Sequence, residues 1–402
     1  MKSGTPGFVG GRLREAREAR GISAITLSDL VGVSRQTMSQ YEKCQITPGP
    51  DVLARISTRL NLPERFFLMP VRITERGTIF YRSMAAATKG ARTRAESRFA
   101  WLQDITEYLS EFVELPESDF PMLSLPQDPL LISDDEIEEA AEALRAYWNL
   151  GDSPIANMVS LLENKGAIIA RGALGAETLD SLSEFAPEQR RPFIVIGTDK
   201  GTSSRWRFDA AHELGHIILH AHVSPDVLVR PDRFKLIESQ AHRFAGAFLL
   251  PCASFGDDLY GANLDNFKTL KLKWRISISA MVMRARQCAL ISEETERRLW
   301  INLSRRGWRK LEPYDDITPP EEPRLLKNAI ELILDEGGRT PDEILDQLAL
   351  PSSDLESLTG LPEGYFNSFS RVSLRPRTSD GQSLAAKTSA SIIPLGVRRR
   401  ST

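Results

Sequence analysis

The run His212-Glu213-Leu214-Gly215-His216 constrains this chain more than any other stretch, because its two imidazoles share a purpose only on an unbroken helix. Four residues apart, they stand on one helix face with Cβ atoms about 5–6 Å from each other. Two nitrogens so placed can reach a single zinc ion at about 2.0–2.1 Å. Glu213 falls beside the metal rather than on it, where its carboxylate can take a proton from an attacking water. The surroundings suit a helix over 206–221, with Ala210, Ala211, Leu214, Ile217, Ile218 and Leu219 to anchor its other faces. Gly215 lets another backbone approach closely, and a sheet edge is the expected neighbour. A polar turn separates this helix from Phe193-Ile194-Val195-Ile196-Gly197, which reads as a buried strand.

A zinc hydrolase needs a third protein ligand and an open fourth position. Three residues compete. Glu238 opens the run 238–251, a helix with Ala241, Phe244, Ala245 and Phe248 facing inward, and a second helix returning a glutamate to such a pair is the gluzincin arrangement. His222 stands at the metzincin distance from His216, but that turn needs glycine where Leu219, a good helix former, stands. His220 along one straight helix would lie about 12 Å from His212, too far for one ion. Glu238 is favoured and His222 is the alternative.

Composition bounds the rest. The 402 residues, 41% hydrophobic and 26% charged, are ordinary for a globular chain of two or three domains. A net charge of -3 excludes a uniformly basic nucleic-acid coat but leaves room for a local patch. The first 70 residues hold ten Lys/Arg against six Asp/Glu. Three cysteines, Cys44, Cys252 and Cys288, are few, odd in number and widely spaced, which argues against a disulfide framework and suits a reducing compartment. No apolar run resembles a signal peptide or a membrane span, so the expected location is the cytoplasm, with no membrane partner.

The chain divides into five zones: 8–70, a compact run of short helices; 71–132, a linker and helical connector; 133–313, the largest mixed segment; 324–370, a further helical region; and 371–402, a Ser-, Thr- and Arg-rich tail expected to be disordered. In the connector, 78–82 reads as a strand or turn and 94–115 as a helix ended by Pro116. Its apolar stripe of Trp101, Ile105, Tyr108, Leu109 and Phe112 suits a core or a dimer face. The expected fold is mainly α with an α+β domain: an all-α N-terminal domain, a gluzincin-like metallopeptidase domain with a small sheet, and a helical C-terminal region.

In the first zone, Ser23 and Ser34 can each cap a short helix across the turn Gly32-Val33-Ser34. The second helix offers Arg35, Gln36, Thr37, Ser39 and Gln40 outward while Met38 and Tyr41 pack inward. Two short helices across a tight turn, the second opening with long polar side chains, fit a helix-turn-helix. Such side chains can read base edges in the major groove, and Arg12, Arg14, Lys43 and Arg55 can contact phosphates. Residues 12–68 resemble the Xre/Cro-type repressor domain through Leu13-Arg14, Gly21, Leu27-Ser28, Gly32-Val33-Ser34, Met38-Ser39, Tyr41-Glu42, Pro48 and Phe67-Leu68. Ala24 stands where that family usually has glutamine. Cys44 stands at the usual glycine after the recognition helix. A side chain in the left-handed region costs about 1 kcal/mol, so the helix is expected to end differently here.

The span 166–313 resembles the ImmA/IrrE family of metallopeptidases through Arg207-Phe208, Ala211 to His216, Leu219-His220, Glu238, Ala241, Phe244-Ala245, Leu249-Leu250-Pro251 and the later Trp274 and Trp308 segments. The resemblance implies His212, His216 and Glu238 as zinc ligands and Glu213 as general base. It also implies a protein substrate, often a repressor, cut at one or few sites. That family has Asn or Asp four residues after the glutamate. Here it is His242, which could orient a ligand or compete for the metal. Two functions follow. One is a regulator, expected as a homodimer on a double-stranded DNA operator, whose zinc endopeptidase domain cleaves a protein. The other is a repressor or antitoxin-like regulator whose zinc fold is a non-catalytic sensor or scaffold.

Overall fold

The computed structural model describes residues 4–71, 77–82, 88–172, 180–197 and 201–368; the tail expected from 371 lies outside them. Four short helices open the chain: α1 (Gly10–Ala19), α2 (Ala24–Val31), α3 (Arg35–Glu42) and α4 (Pro50–Leu60). The two serines cap as expected, Ser23 accepting from the Thr26 N–H and Ser34 from the Thr37 N–H, each at 3.0 Å. Leu13, Leu27, Met38 and Ile56 close the space between the helices without solvent exposure. Cys44 does adopt the left-handed backbone, at φ 55°, so the helix ends as it would with glycine. Its Sγ accepts the Gly10 N–H at 3.1 Å, tying the end of α3 to the start of α1.

The connector forms a strut. Helix α5 (Lys89–Ser110) starts earlier than the periodicity predicts, because Thr88 caps it by accepting the Ala91 N–H. It also ends before Leu115, where the N–H groups of Phe112 and Val113 fold back onto the Leu109 carbonyl. Trp101, Ile105 and Leu109 are buried in a core shared with the first four helices, so this stripe is interior and not a dimer face. The same core takes in α15 (Leu325–Asp335), α16 (Pro341–Leu348) and α17 (Ser352–Thr359). Arg20, at the C-cap of α1, pairs with Asp354 on α17 at 2.5 Å. The last helices therefore pack on the first and do not form a bundle of their own.

A four-stranded sheet divides this layer from the next. β1 (Phe80–Tyr81), β2 (Ile168–Gly172), β3 (Ser181–Ala186) and β4 (Arg191–Gly197) lie in the order β1-β3-β4-β2. β4 runs parallel to β2 and antiparallel to β3, and β1 runs antiparallel to β3. Alternation sends Leu182, Phe193 and Val195 into the core around α5, and Ile169, Ile194 and Ile196 into a second core. That second core holds α6 (Asp134–Tyr147), α7 (Met158–Asn164), α8 (Ser203–Leu219) and α10 (Pro231–Leu249), with α9 (Pro225–Leu228) between the last two. Helices α11 (Cys252–Asp258), α12 (Leu264–Trp274), α13 (Ile278–Gln287) and α14 (Glu293–Arg305) complete it.

Two features depart from sequence expectation. Cys252, in the first turn of α11, is bonded to Cys288 at the end of α13, with Cα atoms 5.6 Å apart. Sequence spacing carried no sign of this, because two helix ends 36 residues apart meet only in the fold. Cys44 stays free. The acid-rich stretch around 311–323, where the zones 133–313 and 324–370 are expected to part, ties helices together. Glu312 accepts the Ile278 and Ser279 N–H groups of α13, and Glu321 accepts those of Met158 and Val159 at α7. Among the described residues no helix is long and apolar enough to cross a membrane.

Candidate metal centre and DNA-reading face

Helix α8 carries the His-Glu-x-x-His run against α10. The close neighbour that Gly215 admits is α10 and not a sheet edge: a Cβ there would lie 3.0 Å from the Cα and carbonyl oxygen of Ala241. That approach brings Glu238, in the middle of α10, to the two imidazoles. His212 Nε2 lies 3.1 Å from His216 Nε2. Glu238 comes within 3.1 Å of His216 and 3.5 Å of His212. Among the described residues, one group of three potential ligands has its atoms within 4.8 Å of one another, and it is this one.

The donor set fits a cation. Two imidazole nitrogens facing each other across 3.1 Å cannot both present lone pairs unless something positive lies between them. Glu238 Oε1 touches His216 without the geometry of a hydrogen bond, and among the described residues His212 Nδ1 is buried with no hydrogen-bond partner. Burial drives His212 down to about 3, helped by the charges of Arg82 and His216 and opposed by Glu238. Burial alone would raise Glu238, but its contacts with His212 and His216 outweigh that and hold it below the usual carboxylate range. A neutral imidazole beside an ionised carboxylate is the state a divalent metal requires.

Behind His216 stands a relay. Gln240 Nε2 donates to the carbonyls of Pro129 at 2.7 Å and Ile132 at 3.2 Å, which turns its Oε1 toward His220 Nε2 at 3.0 Å. His220 must then carry its proton on Nε2 and present a bare Nδ1 to His216 Nδ1, 3.2 Å away. His216 donates there, and its Nε2 lone pair is left pointing into the cluster. Burial holds His220 well below its ordinary pKa, so the ring stays neutral.

Glu213 is wholly buried. The hydroxyls of Ser181 and Ser183 on β3 both donate to its carboxylate, at 2.5 Å each. Burial raises its pKa, and the charge of Glu238 adds to the rise, while His216 and the two serines oppose it. A carboxylate so raised is closer to the range useful for proton transfer. β1 closes the cluster from the other side. The Phe80 ring stacks on His216 at 4.7 Å and 10°, and Arg82 forms an ion pair with Asp209.

The other candidates fall elsewhere. His222 is exposed and contacts the Gln127 carbonyl at 2.8 Å. His242, one turn beyond Glu238, packs on Phe208 at 4.8 Å and lies 6.4 Å from the His212 ring, outside the ligand group. Burial and then the charge of Arg82 lower it to about 4. In the N-terminal helices, Arg35 and Gln36 on α3 and Lys43 at its C-cap are exposed, and Thr37, Ser39 and Gln40 are half-exposed beside them. Arg12 is not a phosphate contact. It is buried, donating to the Pro70 carbonyl and paired with Glu15 and Asp104. Arg14 and Arg55 remain on the surface, the first paired with Glu18 and the second donating to the Val31 carbonyl.

A helix-turn-helix family model matches residues 13–67, which takes in α1 to α4. A peptidase family model, the IrrE N-terminal-like domain, matches residues 166–286, which takes in β2 to α13 and every member of the cluster. The chain thus joins a segment that matches the one family to a segment that matches the other. No curated protein matches it. The first match suggests a DNA-binding regulator and the second a metallopeptidase-like domain. The segment that supplies β1 lies between the two matched spans and belongs to neither.

Proposed function

We propose that this chain is a cytoplasmic transcriptional regulator that binds a double-stranded operator as a homodimer through residues 8–70 and cuts a regulatory protein, such as a repressor, with a zinc endopeptidase site in residues 133–313. The observation that carries the reading is the convergence of His212, His216 and Glu238 from two helices, with Glu213 alongside. Zinc held by those three residues would polarise a peptide carbonyl and make water acidic enough to lose a proton near neutral pH. Glu213, anchored by Ser181 and Ser183, takes that proton and returns it to the leaving amine. His220 and Gln240 keep His216 in the tautomer that binds metal. His242 stands next to this set and tunes it from outside. On α3, Arg35, Gln36, Thr37, Ser39 and Gln40 face bases, and Lys43 a phosphate.

The alternative, a zinc fold that senses or scaffolds without cutting, draws on one fact: His212 is 2% exposed and His216 and Glu213 are 0% exposed. Metal analysis paired with Glu213→Gln separates the two. In the peptidase reading the variant keeps its zinc and loses proteolysis. If the unaltered chain loaded with zinc cuts no protein and Glu213→Gln regulates normally, the scaffold reading replaces it.

A further inference from the structure

We propose that residues 77–82 are a resident strand in the substrate cradle of the peptidase site. They hold the edge of β3 with which an extended segment of a protein substrate would pair, and they must leave before that segment can reach Glu213. This rests on the peptidase reading and adds a substrate class to it: an extended segment with an aromatic side chain followed, two residues on, by a basic one.

The sheet itself poses the question. Within the peptidase-type span the strands are β2, β4 and β3, which leaves β3 as an outer strand beside α8. A free strand edge is a template for another extended chain, with backbone bonds giving affinity and alternate side chains giving selectivity. Here the place is filled by β1, from outside that span. Phe80 pairs with Ser183 and Tyr81 with Leu182, and the Arg82 N–H donates to the Ser181 carbonyl at 3.1 Å. Period-two alternation then puts Phe80 and Arg82 on the face where Ser181 and Ser183 hold Glu213. Phe80 lies flat on His216 and Arg82 meets Asp209, one helical turn before Glu213. Tyr81 points the other way, into the core around α5, where its hydroxyl bonds to Glu96.

With β1 in place the site is shut. No peptide bond can approach groups as buried as His212, Glu213 and His216, so something must move. Helices α8 and α10 are packed along their length, whereas β1 is two residues long and, among the described residues, paired with β3 alone, its Phe80 also resting against Val223, Leu228 and Ile237. Short, singly paired elements open at far lower cost than packed helices. β1 is also wired to the DNA-binding helices: α5, which receives Tyr81, receives α1 as well through Trp101 Nε1 donating to Glu15 at 2.8 Å. Displacement of α1 and α5 on an operator would therefore act directly on the strand that covers the site.

The test uses the full chain, loaded with zinc, carrying Phe80→Ser and Arg82→Ser and keeping Tyr81. A chromogenic chelator should withdraw zinc about tenfold faster, or more, from this variant than from the unaltered chain. A fluorescein-labelled peptide, Gly-Thr-Ile-Phe-Tyr-Arg, should bind the variant by anisotropy and leave the unaltered chain untouched. Equal chelator rates and no peptide binding, by a variant with unchanged circular dichroism, would overturn the proposal. Hydrogen exchange on the unaltered chain decides the matter if the variant does not fold. The Arg82 amide should exchange roughly a hundredfold faster than the β4 amides, and equal protection would overturn the proposal. A variant that binds the peptide and yields zinc readily yet cuts no unfolded protein leaves the resident strand standing and removes the peptidase reading. If neither chain takes up zinc, the metal reading fails and peptide binding alone judges the strand.

Discussion

Helices α3 and α8 are both read from the sequence as working helices, and they solve opposite problems. On α3 the working side chains point outward: Arg35, Gln36 and Lys43 lie in solvent, and the helix needs from its surroundings little beyond the Ser34 cap and buried Met38 and Tyr41. On α8 they point inward, and their buried polar groups are met from within the fold, His212 Nδ1 excepted among the described residues. Glu213 takes two serines from β3, His216 takes His220, and His220 takes Gln240 from α10. A buried polar atom left unmet costs about 1–3 kcal/mol, so an interior site recruits partners from remote segments, whereas a surface site recruits its partner from outside the molecule. Changes on α8 should therefore propagate through neighbours, and changes on α3 should stay local.

The largest effect is expected at Glu213. Glu213→Gln should lower proteolysis by about 10²–10⁴-fold with zinc content and operator binding unchanged. Loss of zinc along with activity would break the separation between base and ligands. One layer out, Gln240→Leu removes the acceptor that fixes His220, and zinc affinity should fall about 10–100-fold in chelator competition. Unchanged affinity would mean that His216 orients itself without the relay, and the contrast with α3 would weaken accordingly.

On α3 the expected changes are smaller and separable. Gln36→Ala should cost about 1–3 kcal/mol on the cognate operator and relax preference at one base pair. Lys43→Ala should weaken all sequences alike and reduce the slope of log affinity against log salt by about 1. Filter binding or anisotropy at several salt concentrations reads both, and neither variant should alter zinc content. A change in zinc content would show that the two helices are coupled through the shared core.

The same contrast explains what could be read in the chain beforehand. Serine caps exposed α2 and α3, and local periodicity exposed α8 and α10 from Glu238 onward though not its first turns from Pro231, because a helix writes its face every three to four residues. Ser181-Leu182-Ser183-Glu184 went unrecognised as β3: a strand that turns polar side chains toward a buried carboxylate lacks the apolar signature of an interior strand. The spacing that removes His220 as a ligand of the ion is the same spacing that seats it behind His216. Gln240 carried no signal at all, since its role depends on two carbonyls more than a hundred positions away. The pairing of Cys252 with Cys288 and the stacking of Phe80 on His216 are likewise products of the fold.

Acidity should separate the two halves further. His242 titrates near 4 in the folded chain against an ordinary 6.5. Below 6.5 the unfolded chain therefore binds a proton that the folded chain refuses. Stability is lost as pH falls from 6.5 toward 4, at up to about 1.4 kcal/mol per pH unit for this group. His242→Phe should remove that share, so thermal melts of the metal-free variant should fall less between pH 7 and pH 5 than those of the unaltered chain. Equal falls would assign the acid sensitivity to the other buried histidines. The α3 surface carries no histidine and should hold its DNA affinity per folded molecule over the same range.

The smallest expected effect lies at the end of α3. Cys44 sits at φ 55°, where a Cβ costs about 1–2 kcal/mol, so Cys44→Gly should relieve that cost. Two terms oppose the gain. Glycine adds freedom to the unfolded chain, worth about 0.4–1 kcal/mol, and the contact from the Gly10 N–H to Sγ is lost. Gly10 is buried, but the Cys44 side chain that covers its N–H is exposed, so water can enter where a weak sulfur acceptor stood and the second term is minor. The net should be a stabilisation of less than about 1 kcal/mol, seen as a small rise in the denaturant midpoint with operator affinity unchanged. A clear destabilisation would mean that the sulfur clamp between α1 and α3 contributes more than the backbone strain it accompanies. The helix-turn-helix half would then depend on buried contacts of its own, as the IrrE-like half does.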